Sequence, residues 1–180
     1  MLVLWRIAQL GYGGFLQPSD RTRQRGFMLA LELKVPPPIV ALVTAVLMWL
    51  ISRSLPVFAF VFPARNAFAI GLVSAGFIIG ILGVVTFRRA KTTVNPTKPQ
   101  SSSSLVSWGV YRVTRNPMYL GGLLILIGWA IALSKPIAFL LLPGYILYIN
   151  LFQIVPEERV LTTLFGPDFI AYKSRTPRWL

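Results

Sequence analysis

Four apolar runs, at residues 39–52, 67–87, 118–133 and 137–155, are separated by short stretches rich in proline and basic residues. Residues 67–87 contain no charge over 21 positions. At about 1.5 Å per residue such a helix crosses a hydrocarbon core of about 30 Å. The first run is entered through Val35-Pro36-Pro37-Pro38 and carries Trp49, as suits a span with proline at its start and an aromatic near its far end. Residues 55–63 are apolar but bounded by prolines and too short to span, which predicts an interfacial or re-entrant piece. Residues 1–10 are interrupted by Arg6, and no small-residue cleavage site follows them, so they read as neither a span nor a signal peptide.

Ser134-Lys135-Pro136 joins the third and fourth runs by so short a turn that the two helices must be antiparallel neighbours. Arg115-Asn116-Pro117, at one end of this hairpin, is thereby brought to the same level as Pro156-Glu157-Glu158 at the other. Beyond Pro156, Val160, Leu161, Leu164 and Phe165 recur at helical spacing, and Gly166 is placed to end that helix. Residues 168–180 set Phe169, Ile170, Tyr172 and Trp179 among Lys173, Arg175 and Arg178, an interfacial amphipathic pattern. Gly76 and Gly80, four apart and followed by Gly83, form the small-residue stripe that lets helices approach closely or admits a ligand.

Composition agrees with the pattern. Hydrophobic residues make up 55% of the 180 and charged residues 13%, about half the share usual in soluble domains. Mean hydropathy is +0.67. The expected fold is an all-α integral membrane protein with about four transmembrane helices, ending in the helical hairpin and cytoplasmic interfacial helices. Residues 1–34 read as a basic, peripheral N-terminal segment. Residues 35–180 read as one domain: a loop at 88–117, the hairpin at 118–155 and a C-terminal segment at 156–180.

The net charge of +13 comes from basic residues lying between apolar runs, so membrane topology accounts for it before nucleic acid does. With four spans, fifteen lysines and arginines fall on the side of both termini and the 88–117 loop, against Arg53, Arg65 and Lys135 opposite. The positive-inside rule places the fifteen in the cytoplasm. The chain has no cysteine and no histidine, which excludes disulfides, thiolate nucleophiles and histidine acid–base chemistry, and no metal is expected. Carboxylate chemistry is confined to Asp20, Glu32, Glu157, Glu158 and Asp168.

The densest polar stretch is Gly109-Val110-Tyr111-Arg112-Val113-Thr114-Arg115-Asn116-Pro117-Met118-Tyr119-Leu120-Gly121-Gly122. Pro117 suits the first turn of a helix, where its missing N–H costs nothing, and the free backbone donors beside two arginines suit an anion. Interfacial anchoring is the plain alternative, with arginines on headgroups and tyrosines in an aromatic belt. Two adjacent glutamates at that interface argue for more, since they are unfavourable there unless they meet cations.

From about residue 87 to the C-terminus the chain resembles the isoprenylcysteine carboxyl methyltransferases, in their bacterial form, and their phospholipid methyltransferase relatives. The resemblance rests on Thr92-Thr93-Val94-Asn95-Pro96, Leu105-Val106, Gly109-Val110-Tyr111-Arg112 and the run from Arg115 to Gly121. After the hairpin it rests on Glu157-Glu158, Phe165-Gly166, Tyr172 and Pro177-Arg178-Trp179; residues 32–50 resemble the first span, with Met28 opening the family-like part. The family usually reads Arg-His-Pro where this chain has Arg115-Asn116-Pro117; asparagine keeps a donor and an acceptor but does not titrate. The resemblance implies a membrane methyltransferase of the bacterial inner membrane. Its donor would be S-adenosylmethionine, its product S-adenosylhomocysteine, and its acceptor a lipophilic small molecule, lipid or lipidated group bearing a carboxylate, amine or thiol. A non-catalytic binding or assembly protein on the same fold is the alternative. The residues expected to act in catalysis are Arg115, Asn116 and Glu158. Those expected around the cofactor are Tyr111, Arg112, Arg115, Asn116, Pro117, Tyr119, Gly121, Glu157, Glu158, Tyr172 and Arg175. An arginine suits the cofactor carboxylate, Glu157 or Glu158 its ammonium or ribose, and Tyr119 or Trp108 its sulfonium.

Overall fold

A computed structural model describes residues 32–55, 58–91 and 101–180. Contacts divide the chain into two units, Met1–Glu32 and Leu33–Leu180. All of the first unit except Glu32 lies outside the described residues, with the expectations for residues 1–27 and Met28; so does the Thr92-Thr93-Val94-Asn95-Pro96 motif.

Among the described residues of the second unit the regular structure is helical: α1 (Pro37–Ser54), α2 (Arg65–Arg89), α3 (Pro117–Leu133), α4 (Leu141–Ile149) and α5 (Val155–Arg175). Short 3-10 turns at Gly109–Arg112 and Pro136–Leu140 precede α3 and α4, and a π-helical segment, Asn150–Ile154, joins α4 to α5. Proline occupies the first turn of α1, α3 and α5; at α1 and α3, which begin there, its fixed φ suits the helix and no N–H is lost. Three helical stretches are long and apolar enough to cross a membrane, and α3, with 17 residues, is a shorter apolar helix. Large apolar side chains such as Leu42, Phe68, Ile70, Phe77 and Ile81 are exposed along α1 and α2, as expected of surfaces that face lipid. The chain is a helical integral membrane protein.

The fourth apolar run departs from expectation at its end. It does not stop at Pro156 but continues through the π segment into α5, a helical stretch of 40 residues from Pro136 to Arg175. At about 1.5 Å per residue this is twice a bilayer core, so the polar half from Glu157 onward lies beyond the span. Continuation past Pro156 leaves the Phe152 carbonyl without its usual donor four residues on. The Leu33 N–H supplies the bond instead, at 3.0 Å. One position along, the buried Gln153 Nε2 donates to the Val35 carbonyl at 2.8 Å, so the start of the first span is fastened to the end of the fourth. Gly166 kinks α5 at φ 48°, ψ −123°, and Pro167 follows.

Helices α2 and α3 touch backbone to backbone. A Cβ on Gly121 would stand 2.5 Å from the Gly76 carbonyl oxygen, one on Gly76 2.6 Å from the Gly121 oxygen, and one on Gly128 2.8 Å from the Ala69 oxygen. The stripe on α2 is therefore a helix contact, not a ligand groove. Residues 58–63 lie against the hairpin turn: the Phe60 N–H donates to the Ser134 carbonyl at 3.0 Å, and the Phe60 and Phe139 rings are 6.2 Å apart.

Candidate functional site

The kink at Gly166 turns the last part of α5 back over the polar end of the bundle. There Phe169 and Tyr172 pack with Val106 and Tyr111 in a buried aromatic cluster. The Tyr172 hydroxyl donates to the Tyr111 carbonyl at 2.8 Å, which ties α5 to the 3-10 turn. Between this cluster and the start of α3 lies an open-mouthed cavity. Phe87, at the end of α2, meets Tyr111 edge-on at 5.1 Å and forms part of the wall.

Seven of the residues singled out in the sequence line this cavity: Tyr111, Arg115, Asn116, Tyr119, Glu157, Glu158 and Tyr172. Four others do not. Gly121 faces Gly76 in the helix contact, so it offers no approach to a ligand. Pro117 is buried against Gly83, where an added Cβ would meet its Cγ at 3.2 Å. Arg112 and Arg175 are exposed, and the Arg175 Nε donates to the Ala171 carbonyl of its own helix. Trp108 is 44% exposed and outside the lining, which leaves Tyr119 of the two aromatics considered for a sulfonium.

The adjacent glutamates, about 100° apart on a helix, serve opposite sides of the cavity. Glu157 faces α3, where the Tyr119 hydroxyl donates to its Oε2 at 3.1 Å. Burial pushes the Glu157 carboxyl up to about 7; the Tyr119 hydrogen bond lowers it, and the neighbouring Glu158 charge raises it. Glu158 faces the tail. Arg178 Nε donates to its Oε1 at 3.0 Å and Arg178 Nη2 to its Oε2 at 2.8 Å, a two-pronged pairing. Arg115 Nη1 lies 3.1 Å from Oε1 and Lys173 Nζ 3.5 Å from Oε2. Burial alone would raise Glu158, but the Arg178 hydrogen bond and the surrounding cations outweigh it and hold the carboxylate below its usual range. Burial lowers the Arg115 guanidinium, against the opposing pull of Glu158.

Two buried donors in the cavity lack any acceptor among the described residues. Arg115 Nε and the Tyr111 hydroxyl make no hydrogen bond; Arg115 Nη1 makes none either but is ion-paired with Glu158 Oε1 at 3.1 Å. Unpaired buried donors are costly, and a site for an acceptor-bearing ligand resolves the cost. Asn116 is engaged with the tail instead. Its Nδ2 donates to the Arg178 carbonyl at 3.0 Å, beside the Thr114 hydroxyl, which donates to the same oxygen at 3.0 Å. This contact needs a donor and no titration.

Sequence reasoning puts Arg178 near the site without giving it a role, and it passes over Thr114. The scarcity of acids is the available signal for Arg178, since a buried glutamate must find cations. Thr114 carries no such mark.

Glu157 gives a pH signature. A carboxyl whose folded value lies above its unfolded one contributes stability that is fully present below the unfolded value and is lost as pH rises through the folded one. The melting temperature of the detergent-purified protein is therefore expected to fall as pH rises from about 4.5 to about 7. No histidine complicates that window. Glu157→Gln is expected to flatten the slope; an unchanged slope would assign it elsewhere.

Residues 64–168 match the model of a family described as phospholipid methyltransferase. The chain is 44% identical over 63 residues to a Haemophilus influenzae protein carrying the name "Uncharacterized protein", which covers 35% of this chain and 100% of the relative. It is 26% identical over 110 residues to protein-S-isoprenylcysteine O-methyltransferase B of Arabidopsis thaliana, covering 61% of this chain and 56% of the relative. Over 129 residues it is 29% identical to protein-S-isoprenylcysteine O-methyltransferase of Saccharomyces cerevisiae, covering 65% and 54%. The chain thus spans about half the length of the two named methyltransferases. No solved structure matches it.

Proposed function

The chain belongs to the phospholipid methyltransferase family, and from that premise we propose that it is a membrane-embedded methyltransferase. It uses S-adenosylmethionine and acts on a lipophilic acceptor at the cytoplasmic face of a bacterial inner membrane. The observation that carries this reading is the pair of buried, unsatisfied donors in the cavity, Arg115 Nε and the Tyr111 hydroxyl. Such donors fit the carboxylate and hydroxyls of that cofactor.

Each lining group has work in this reading. Arg115 holds the cofactor carboxylate. Glu157, once ionised, takes an ammonium or ribose hydroxyls. Phe87, Tyr111, Phe169 and Tyr119 form aromatic walls suited to an adenine ring and a sulfonium. Bound there, S-adenosylmethionine supplies a methyl group on a positively charged sulfur. Transfer to an anionic acceptor neutralises charge, so a wall that excludes water favours it. A carboxylate acceptor needs only alignment. An amine or thiol acceptor must lose a proton, and Glu157, raised to about 7, has the proton affinity to take it. Asn116 fastens the tail that carries Arg178, so the absence of the family's histidine removes no donor from that contact.

The test is transfer of labelled methyl from S-adenosylmethionine into organic-extractable material of membrane vesicles. Inverted vesicles, with the cytoplasmic face outward, are expected to incorporate label and right-side-out vesicles are not. Mild alkali releases label from a methyl ester and leaves N- or S-methyl groups. No incorporation in either orientation contradicts the activity; incorporation only in right-side-out vesicles contradicts the orientation.

A further inference from the structure

The Glu158 carboxylate has three cations within 3.5 Å and only one of them bonds to it through a matched fork. Arg178 occupies both oxygens. Arg115 is ion-paired to the carboxylate through Nη1 at 3.1 Å but makes no hydrogen bond to it, and its Nε has no partner among the described residues. The place of Arg178 is set by backbone contacts. Its carbonyl accepts from Thr114 Oγ1 and Asn116 Nδ2, and the Pro177 carbonyl accepts the Arg115 N–H at 2.9 Å. The segment that leads into α3 thus grips the tail, and the tail's guanidinium grips Glu158.

We propose that Arg178 is a positioning residue that keeps Arg115 available: by taking both oxygens of Glu158, it holds Arg115 to a single ion pair and leaves its Nε free for an anionic group of a ligand in the cavity. The identity of that ligand, with S-adenosylmethionine offering its carboxylate, rests on the function proposed above; the anion chemistry does not. Without Arg178, the strongest remaining partner for Glu158 is the guanidinium already 3.1 Å from it. A two-pronged arginine–carboxylate pair would then close and consume the donors that the ligand needs. Arg178 therefore acts on binding without touching the ligand.

The proposal predicts a recovery that a structural role for Arg178 does not. The variants are Arg178→Gln, Glu158→Gln and the double substitution, all in the full chain in detergent. Arg178→Gln retains the backbone carbonyl held by Thr114 and Asn116. Two readouts run in parallel: the S-adenosylmethionine dissociation constant, and the rise in melting temperature on replacing chloride by sulfate at constant ionic strength. Arg178→Gln is expected to weaken cofactor binding about tenfold and to remove most of the sulfate effect. Adding Glu158→Gln is expected to improve both over the Arg178→Gln single variant, because the competitor for Arg115 is then gone. Unchanged affinity in Arg178→Gln, or a double variant no better than the single, overturns the proposal. So does a wild-type protein indifferent to sulfate. Wild type that responds to sulfate with the expected variant pattern but does not bind S-adenosylmethionine overturns the cofactor reading alone. If Arg178→Gln does not fold, Arg178→Lys carries the test, with charge but no fork; a smaller loss restored by Glu158→Gln supports the proposal, and no loss or no restoration overturns it.

Discussion

Arg115→Lys is expected to weaken S-adenosylmethionine binding by roughly ten- to more than a hundredfold while the protein still folds. Lysine keeps the charge but loses the planar fork, including the Nε–H that is buried and unpaired in the free protein. A charged hydrogen bond of this kind is worth about 1.5–3 kcal/mol, which converts to that range of affinity. Anchoring to headgroups makes the opposite forecast: an anchoring arginine alters insertion or stability and leaves the affinity of the folded fraction untouched. Titration of the variant with cofactor beside a thermal melt separates the two. An unchanged dissociation constant would remove Arg115 from the binding site.

Gly121→Val is expected to have the largest effect on the fold. The added Cβ would stand 2.5 Å from the Gly76 carbonyl and 3.2 Å from the Gly80 nitrogen, both backbone atoms that no rotamer change can move. Relief requires α2 and α3 to separate, and the cost is expected at the upper end of overpacking penalties, about 3 kcal/mol. Because Phe87 on α2 and Tyr119 on α3 both line the cavity, separation also opens the site. Gly71→Ala on α2 is the control, since nothing lies within 4 Å of its new Cβ and alanine favours the helix, so the melting temperature is expected to hold or rise. Comparing the melts of the two variants decides it. A tolerated Gly121→Val would show that the helices are not held at this distance.

The spans are legible in the sequence because the bilayer demands uninterrupted apolar length, and residues 67–87 satisfy that demand without reference to any partner. Proline at 37 and 117 marks helix starts by the same local logic, since its fixed φ and missing N–H act within one turn. The run from Pro136 to Arg175 is less legible. Its continuity depends on Leu33, more than a hundred positions away, supplying a donor to Phe152. In the site, the short hairpin turn brings Arg115 and Glu158 to one end, because antiparallel neighbours have no other arrangement. The orientation of individual side chains is not legible. Gly121 reads equally well as a helix contact or a ligand approach until Gly76 is seen opposite it. Arg112 and Arg115 carry the same chemistry three residues apart, yet one is exposed and the other lines the cavity. The Arg178 fork depends on a chain reversal at Gly166 that the glycine permits but does not announce.

That this cavity binds S-adenosylmethionine is tested most directly by equilibrium dialysis of labelled cofactor against the detergent-purified wild-type chain. The expected result is saturable binding of one equivalent, displaced by S-adenosylhomocysteine and strengthened as pH rises through about 7, where Glu157 ionises. No saturable binding at any pH in that range would contradict it.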